Sequence, residues 1–179
     1  MVYLFKIVND EVSKFSREIE IDPDATFLDL RNAILDSVGY SKDEMDSFFI
    51  CDEDWSKREE ITLEDMGTAS DQDIWIMGET PLSQLVEDEG QKLIFVFDYF
   101  TERSFFMELK EIITGRRVDV PVCTRKVGNP PVQKVDIDDF DQKIEAQLAS
   151  QKQAFDLDME DMEGYNEDEL PEGMEDFNL

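Results

Sequence analysis

The sequence predicts an α+β fold, a mixed or antiparallel sheet built from β-hairpins with packed helices and a ββα start. Three observations carry the prediction. Tyr3, Phe5 and Ile7 alternate with Leu4, Lys6 and Val8, and Phe15, Arg17, Ile19 and Ile21 follow after the polar Asn9-Asp10-Glu11. This is the period of two expected for half-buried strands joined by a turn. Phe27, Leu30, Ala33, Ile34, Leu35 and Val38 then recur at helical spacing. Later, Leu93-Ile94-Phe95-Val96-Phe97-Asp98-Tyr99-Phe100 forms a short aromatic and β-branched run behind Gly90, which reads as a central strand rather than a helix.

The elements follow in order. Asp22-Pro23-Asp24 breaks the second strand, Thr26 with Asp29 three residues on makes a capping box, and Gly39 stops the helix. Ser41-Lys42-Asp43-Glu44 gives a single turn before Phe48-Phe49-Ile50-Cys51, a third strand. Asp52 to Glu60 is charged and reads as a surface loop, Ile61-Thr62-Leu63 opens a short element, and Gly67 to Asp73 is a further loop. Thr80-Pro81 has the cap and first-turn proline of a helix over Leu82–Val86. Asp88-Glu89-Gly90 turns the chain into the central strand, and Phe105 to Ile113 pairs back as its antiparallel neighbour. Val118 to Val122 adds a short strand, and Gly128-Asn129-Pro130-Pro131 is loop. Phe140, Ile144 and Leu148 give a last helical stretch. The expected organisation is a globular domain over 1–135, a C-terminal helix packed on it over 136–154, and an acidic flexible tail over 155–179.

Charge bounds the function. Forty-five Asp and Glu stand against seventeen Lys and Arg, with no histidine, for a formal charge of -28. Such a chain repels phosphate backbones, so direct nucleic-acid binding is not expected. Without imidazole the usual general base, the Ser-His and Cys-His pairs and the commonest metal ligand are missing. Residues 136–179 carry 16 acids and 2 bases, which is half the net charge in a quarter of the length. From Phe155 to Leu179 there are eleven acids and no base, a composition that does not collapse alone. Cys51 and Cys123 lie far apart without CxxC partners, so they read as buried thiols rather than a disulfide or zinc set. The opening Met1-Val2-Tyr3-Leu4-Phe5-Lys6 lacks the features of a signal peptide, and no apolar run approaches membrane-spanning length. A cytoplasmic protein without cofactor, catalytic residue or metal site is expected.

Several motifs resemble one family: the opening Tyr3-Leu4-Phe5-Lys6-Ile7, the helix entry Thr26-Phe27-Leu28-Asp29-Leu30 and the aromatic Phe48-Phe49-Ile50. The most telling part runs from Leu82-Ser83-Gln84-Leu85 through Gly90-Gln91-Lys92-Leu93 to Phe97-Asp98-Tyr99, with Cys123, Gly128, Pro130 and Pro131 beyond it. Over roughly residues 2–131 the chain resembles the plasmid Ri open-reading-frame-three-like family, whose members often carry the label transposon passenger protein. The resemblance implies the fold and a link to mobile elements, with no biochemical activity attached. The chain departs from the family's Gly-Asp-x-Trp-x-His, which follows its aspartate-aromatic pair. Here those places hold Phe100, Thr101, Glu102, Arg103, Ser104 and Phe105. The family's histidine near the third strand is also missing, where Glu44 to Ser47 stand. A serine recombinase is rejected, because its serine-arginine set and basic helix-turn-helix are absent.

Other constellations have simpler readings. Asp156-Leu157-Asp158-Met159-Glu160 alternates like the start of a calcium loop, but Asp161 stands where glycine is required, so it reads as solvated tail. Trp75, between Ile74 and Ile76, reads as core. Trp55 sits amid charges, either as an exposed anchor for a partner or as an indole pinning its own loop. Six bases among residues 110–134 form the one basic island. The tail interleaves acids with Phe155, Leu157, Met159 and Tyr165, a pattern of segments that order on a partner.

The expected function is that of a non-enzymatic interaction or accessory protein with no known biochemical role, its acidic tail binding a basic protein. Trp55, Phe155, Leu157, Met159 and Tyr165 are the candidate contacts. Two alternatives stand beside it: a DNA mimic that occupies a nucleic-acid-binding protein, and a carboxylate hydrolase with Asp98 or Glu102 as base.

Overall fold

The first hairpin forms as its alternation requires. β1 (Val2–Asn9) pairs antiparallel with β2 (Ser16–Ile21), Phe5 opposite Ile19 and Lys6 opposite Glu18. Asn9 fixes the turn: its Oδ1 accepts the amides of Glu11 at 2.8 Å and Val12 at 3.2 Å, while its Nδ2 donates to the Ser104 carbonyl at 3.0 Å. The structure is a computed structural model that describes residues 1–65, 67, 74–135, 141–142 and 144–152. It divides into two compact units, Met1–Lys134 and Val135–Leu179.

Helix α1 (Phe27–Val38) starts on a full capping box. Thr26 Oγ1 accepts the Asp29 amide at 3.2 Å, and the Asp29 carboxylate accepts the Thr26 amide at 3.0 Å. Gly39 closes the helix at φ 70 in the left-handed region, which glycine reaches without a Cβ penalty. No basic residue lies in the last turn. The charge that suits a helix C-terminus comes instead from β2, where the buried Arg17 donates through Nε to the Ser37 carbonyl at 3.1 Å.

The remaining strands are β3 (Ser47–Cys51), β4 (Lys57–Thr62), β5 (Trp75–Ile76), β6 (Lys92–Asp98), β7 (Arg103–Ile113) and β8 (Val122–Val127). They form one eight-stranded sheet in the order β5-β4-β3-β6-β7-β1-β2-β8. Every pair is antiparallel except β4 with β5, so the sheet is mixed and the fold is α+β.

Three expected elements come out differently. Lys57 to Glu60 is not loop but the start of β4, with Glu60 opposite Phe49 and Glu59 opposite Ile50. Near a sheet edge a strand need bury little, and here only Ile61 is buried. The expected helix over Leu82–Val86 is a 3₁₀ turn, Leu82–Gln84. Thr80 does not cap it, since its hydroxyl donates to the Ile76 carbonyl at 2.8 Å. The amides of Leu82 and Ser83 are taken by the carbonyls of Ala25 and Pro23 at 2.8 and 2.9 Å. The strand placed at Val118–Val122 lies at Val122–Val127, because Pro121 has no amide to give a ladder.

One face of the sheet, together with α1, encloses the core. Phe5, Phe27, Phe48, Phe95 and Phe105 are fully buried there with Ile7, Ile19, Leu30 and Ile34. Each such burial stabilises by about 1.5–3 kcal/mol. The pleat sends alternate residues to the other face, where Cys51, Ile94 and Val96 pack with Phe49, Trp55 and Phe106. Two rows cross the strands on this second face. One runs Phe49–Ile94–Phe106–Val8–Ser16–Val127, and its neighbour runs Lys92–Glu108–Lys6–Glu18–Arg125.

In the second unit, residues 141–142 and 144–152 are helical, within the span expected for the last helix. Residues 136–140 and the acidic segment 155–179, with Phe155, Leu157, Met159 and Tyr165, lie outside the described residues.

Candidate functional site

The β6–β7 turn, the β1–β2 turn, the segment after α1 and the chain around Gln133 converge at one end of the sheet. Asp98, the last residue of β6, uses both carboxylate oxygens locally. Oδ1 accepts the Phe100 amide at 3.1 Å and Oδ2 accepts the Thr101 hydroxyl at 2.7 Å. Glu102 takes the left-handed conformation, φ 55, and its side chain is exposed. Arg103 holds the cluster together. Its Nε and Nη2 donate to Glu11 Oε1 and Oε2 at 2.6 and 2.9 Å, its Nη1 donates to the Gln133 carbonyl at 3.4 Å, and Asp98 Oδ2 lies 3.8 Å away. The guanidinium also stands 5.1 Å from the Phe97 ring centroid. Hydrogen bonding to Glu11 raises the Arg103 pKa, against a smaller desolvation effect.

Tyr40, just beyond the Gly39 stop, packs on Phe97 and Phe105 at 5.3 and 5.9 Å and donates to the Pro131 carbonyl. Burial pushes its hydroxyl up to about 12, with Arg103 pulling the other way. Gln133 and Ser41 exchange two hydrogen bonds, at 2.7 and 2.8 Å, and Lys134 pairs with Glu44 at 3.0 Å. Beside them Tyr99 and Ser47 both donate to Glu60 Oε1, at 3.0 and 3.1 Å. Burial is the main influence pushing Tyr99 up to about 12. Beneath lies the buried pair of Arg31 and Asp46, with Nε at 2.8 Å from both carboxylate oxygens. Desolvation raises the Asp46 pKa, and the Arg31 hydrogen bond and charge oppose it. A cleft of about 190 Å³ opens between Glu44, Met45, Asp98, Tyr99, Phe100 and Lys134.

So Asp98 and Arg103 do converge, while Glu102 stands apart from them. Both converging groups are spent on holding turns. Among the described residues, no set of three Cys, Asp or Glu is arranged to hold a metal ion.

Of the other candidates, Trp55 lies in the β3–β4 turn, at φ 66, folded over the second sheet face. Its ring meets Phe106 edge-on at 5.2 Å and carries Lys92 Nζ at 5.1 Å. The half-buried Trp75 packs against the core and donates to Glu59 at 3.1 Å. Cys51 is buried, and desolvation raises its thiol pKa; Cys123 is only partly buried, since it sits on the outermost strand. The basic island is not one patch. Lys110 pairs with Glu18, Arg116 with Glu20, Arg117 with Asp119 and Lys134 with Glu44, while Arg125 and Lys126 face opposite ways on β8. Glu11, Tyr40 and Gln133 escaped the sequence reading, because nothing local marks partners that come from 91 or 92 residues away.

An α+β domain on an eight-stranded mixed sheet, with a polar cluster binding its turns at one end, is the class these observations define. The chain belongs to the plasmid pRiA4b ORF-3-like protein family, whose model matches residues 2–170. It is also similar in fold to a crystal structure of a protein of unknown function, MM3350, from Methanosarcina mazei Go1. That likeness has a TM-score of 0.54 at 18% identity, over 70% of this chain and 68% of that one. No curated protein matches the sequence. No helix among the described residues is long and apolar enough to cross a membrane.

Proposed function

We propose that this chain is a non-enzymatic, cytoplasmic interaction protein whose acidic C-terminal segment, 155–179, binds a basic partner protein. The observation that supports this reading most is how the polar cluster spends its groups. A general base must reach a substrate proton, yet both Asp98 oxygens hold their own turn and Arg103 is bidentate on Glu11. The surplus acid lies elsewhere, with eleven acids and no base from Phe155 to Leu179. Such a segment is drawn to cationic surfaces and steers their approach.

The experiment is a pull-down from lysate with the full chain and with residues 155–179 deleted. The deletion is expected to remove basic proteins from the captured set and leave the fold intact by circular dichroism. An unchanged set of captured proteins would end the proposal.

A further inference from the structure

The two edges of the sheet are unequal. One ends in the two-residue β5, too short to template another strand. The other is β8, six residues long, whose outer backbone edge meets no strand among the described residues. An open edge of that length accepts strand addition, in which main-chain hydrogen bonds supply affinity and alternate side chains supply choice.

The rows on the second face say what would follow β8. The charged row alternates sign strand by strand, Lys92–Glu108–Lys6–Glu18–Arg125, and stops on a cation. Its neighbour stops on Val127, two residues further along β8. One more strand would continue the ladder with an acid opposite Arg125 and an apolar residue opposite Val127. Between them, facing the other side, an acid would meet Lys126. Opposite charges and apolar pairs directly across strands stabilise the pairing, and like charges there destabilise it.

The local field agrees with this sequence. Although the chain carries -28, Lys6, Lys14 and Arg125 form no ion pair among the described residues. They line a groove of about 410 Å³ with Val8, Phe15 and Val127, where Lys110 is already committed to Glu18. The same arrangement disfavours other occupants. A polynucleotide would bring phosphates against Glu18 and against the whole anionic surface. A second copy pairing edge to edge would set the cations of β8 against each other.

We propose that the β8 edge takes up, by strand addition, an extended segment of a partner protein carrying an acidic-acidic-apolar sequence opposite Arg125, Lys126 and Val127. The site lies on β8, within the unit Met1–Lys134.

The test titrates the full chain into a fluorescein-labelled ten-residue peptide centred on Glu-Glu-Val, at low salt, read by anisotropy. Saturable binding is expected. Methylating the peptide amides that face β8 should abolish it, because the side chains stay and the ladder is lost. Arg125→Glu should weaken binding about tenfold, the size of one well-placed charge contact. Exchanging the opposing peptide glutamate for lysine should restore binding to that variant. The idea is overturned if the parent peptide does not bind, if the methylated peptide binds equally, or if an equimolar ten-nucleotide oligothymidylate displaces it. Should Arg125→Glu fail to fold, the methylated peptide decides alone.

Discussion

Tyr40 shows how a single side chain ties chemistry to stability. Its ring lies on Phe97 and Phe105, its hydroxyl serves Pro131, and burial lifts its pKa from 10.0 to about 12. A folded-state pKa above the unfolded value favours the neutral phenol in the native protein. The stability it contributes is therefore fully present below pH 10 and is lost as pH climbs through about 12. Tyr40→Phe is expected to lose about 1 kcal/mol near neutrality, one hydrogen bond's worth, and to show a shallower alkaline decline than the parent. Urea denaturation at pH 7, 10, 11 and 12 reads both effects, and parallel alkaline limbs would refute the assignment. Tyr99, also raised to about 12, leaves part of the decline in place. At this scale the sequence exposes little of the cluster: Arg103 gives no local sign that its bidentate acid is Glu11, because the two meet only when separate turns are brought side by side.

Elements divide by how much of their information is local. The capping box of α1 needs only Thr26 and Asp29, and its stop needs only Gly39, so its bounds were readable from spacing. The alternation of β1 and β2 and the dense apolar run of β6 were readable for the same reason. β4 was not, because a charged strand has no pattern of its own and exists through its pairing with β3. The 3₁₀ turn at Leu82–Gln84 was not either, because carbonyls of Pro23 and Ala25, nearly sixty residues earlier, took the amides that a helix start leaves over.

Two glycines at the same backbone angle separate local from tertiary constraint. Gly39 and Gly128 both have φ +70, but a Cβ on Gly39 meets nothing within 4 Å, whereas one on Gly128 would lie 2.3 Å from the Lys14 carbonyl oxygen. Gly39→Ala should cost about 1–2 kcal/mol, the left-handed penalty alone. Gly128→Ala should cost more, because the β1–β2 turn must also move away from the end of β8. Equal midpoints in chemical denaturation would show that the contact is immaterial.

Across the whole molecule, repulsion among surplus acids opposes the compact state. Raising salt from about 10 to 150 mM shortens the screening length from about 30 to about 8 Å, so the melting temperature should rise. A flat or falling melting curve over that range would mean that the ion pairs outweigh the repulsion. The architecture that carries this charge also places the first strand inside the sheet, with β1 between β7 and β2.

Arg17 makes the timing of that arrangement matter. Its guanidinium reaches the carbonyls of Val127 and Gly128, 110 and 111 positions downstream, as well as Ser37 at the end of α1. On a ribosome the opening hairpin and helix therefore emerge long before the last acceptors of their cation are synthesised. The opening hairpin and helix are made ahead of β8 and completed only with it, and nascent chains truncated ahead of Val122 lack the strand that would let them settle.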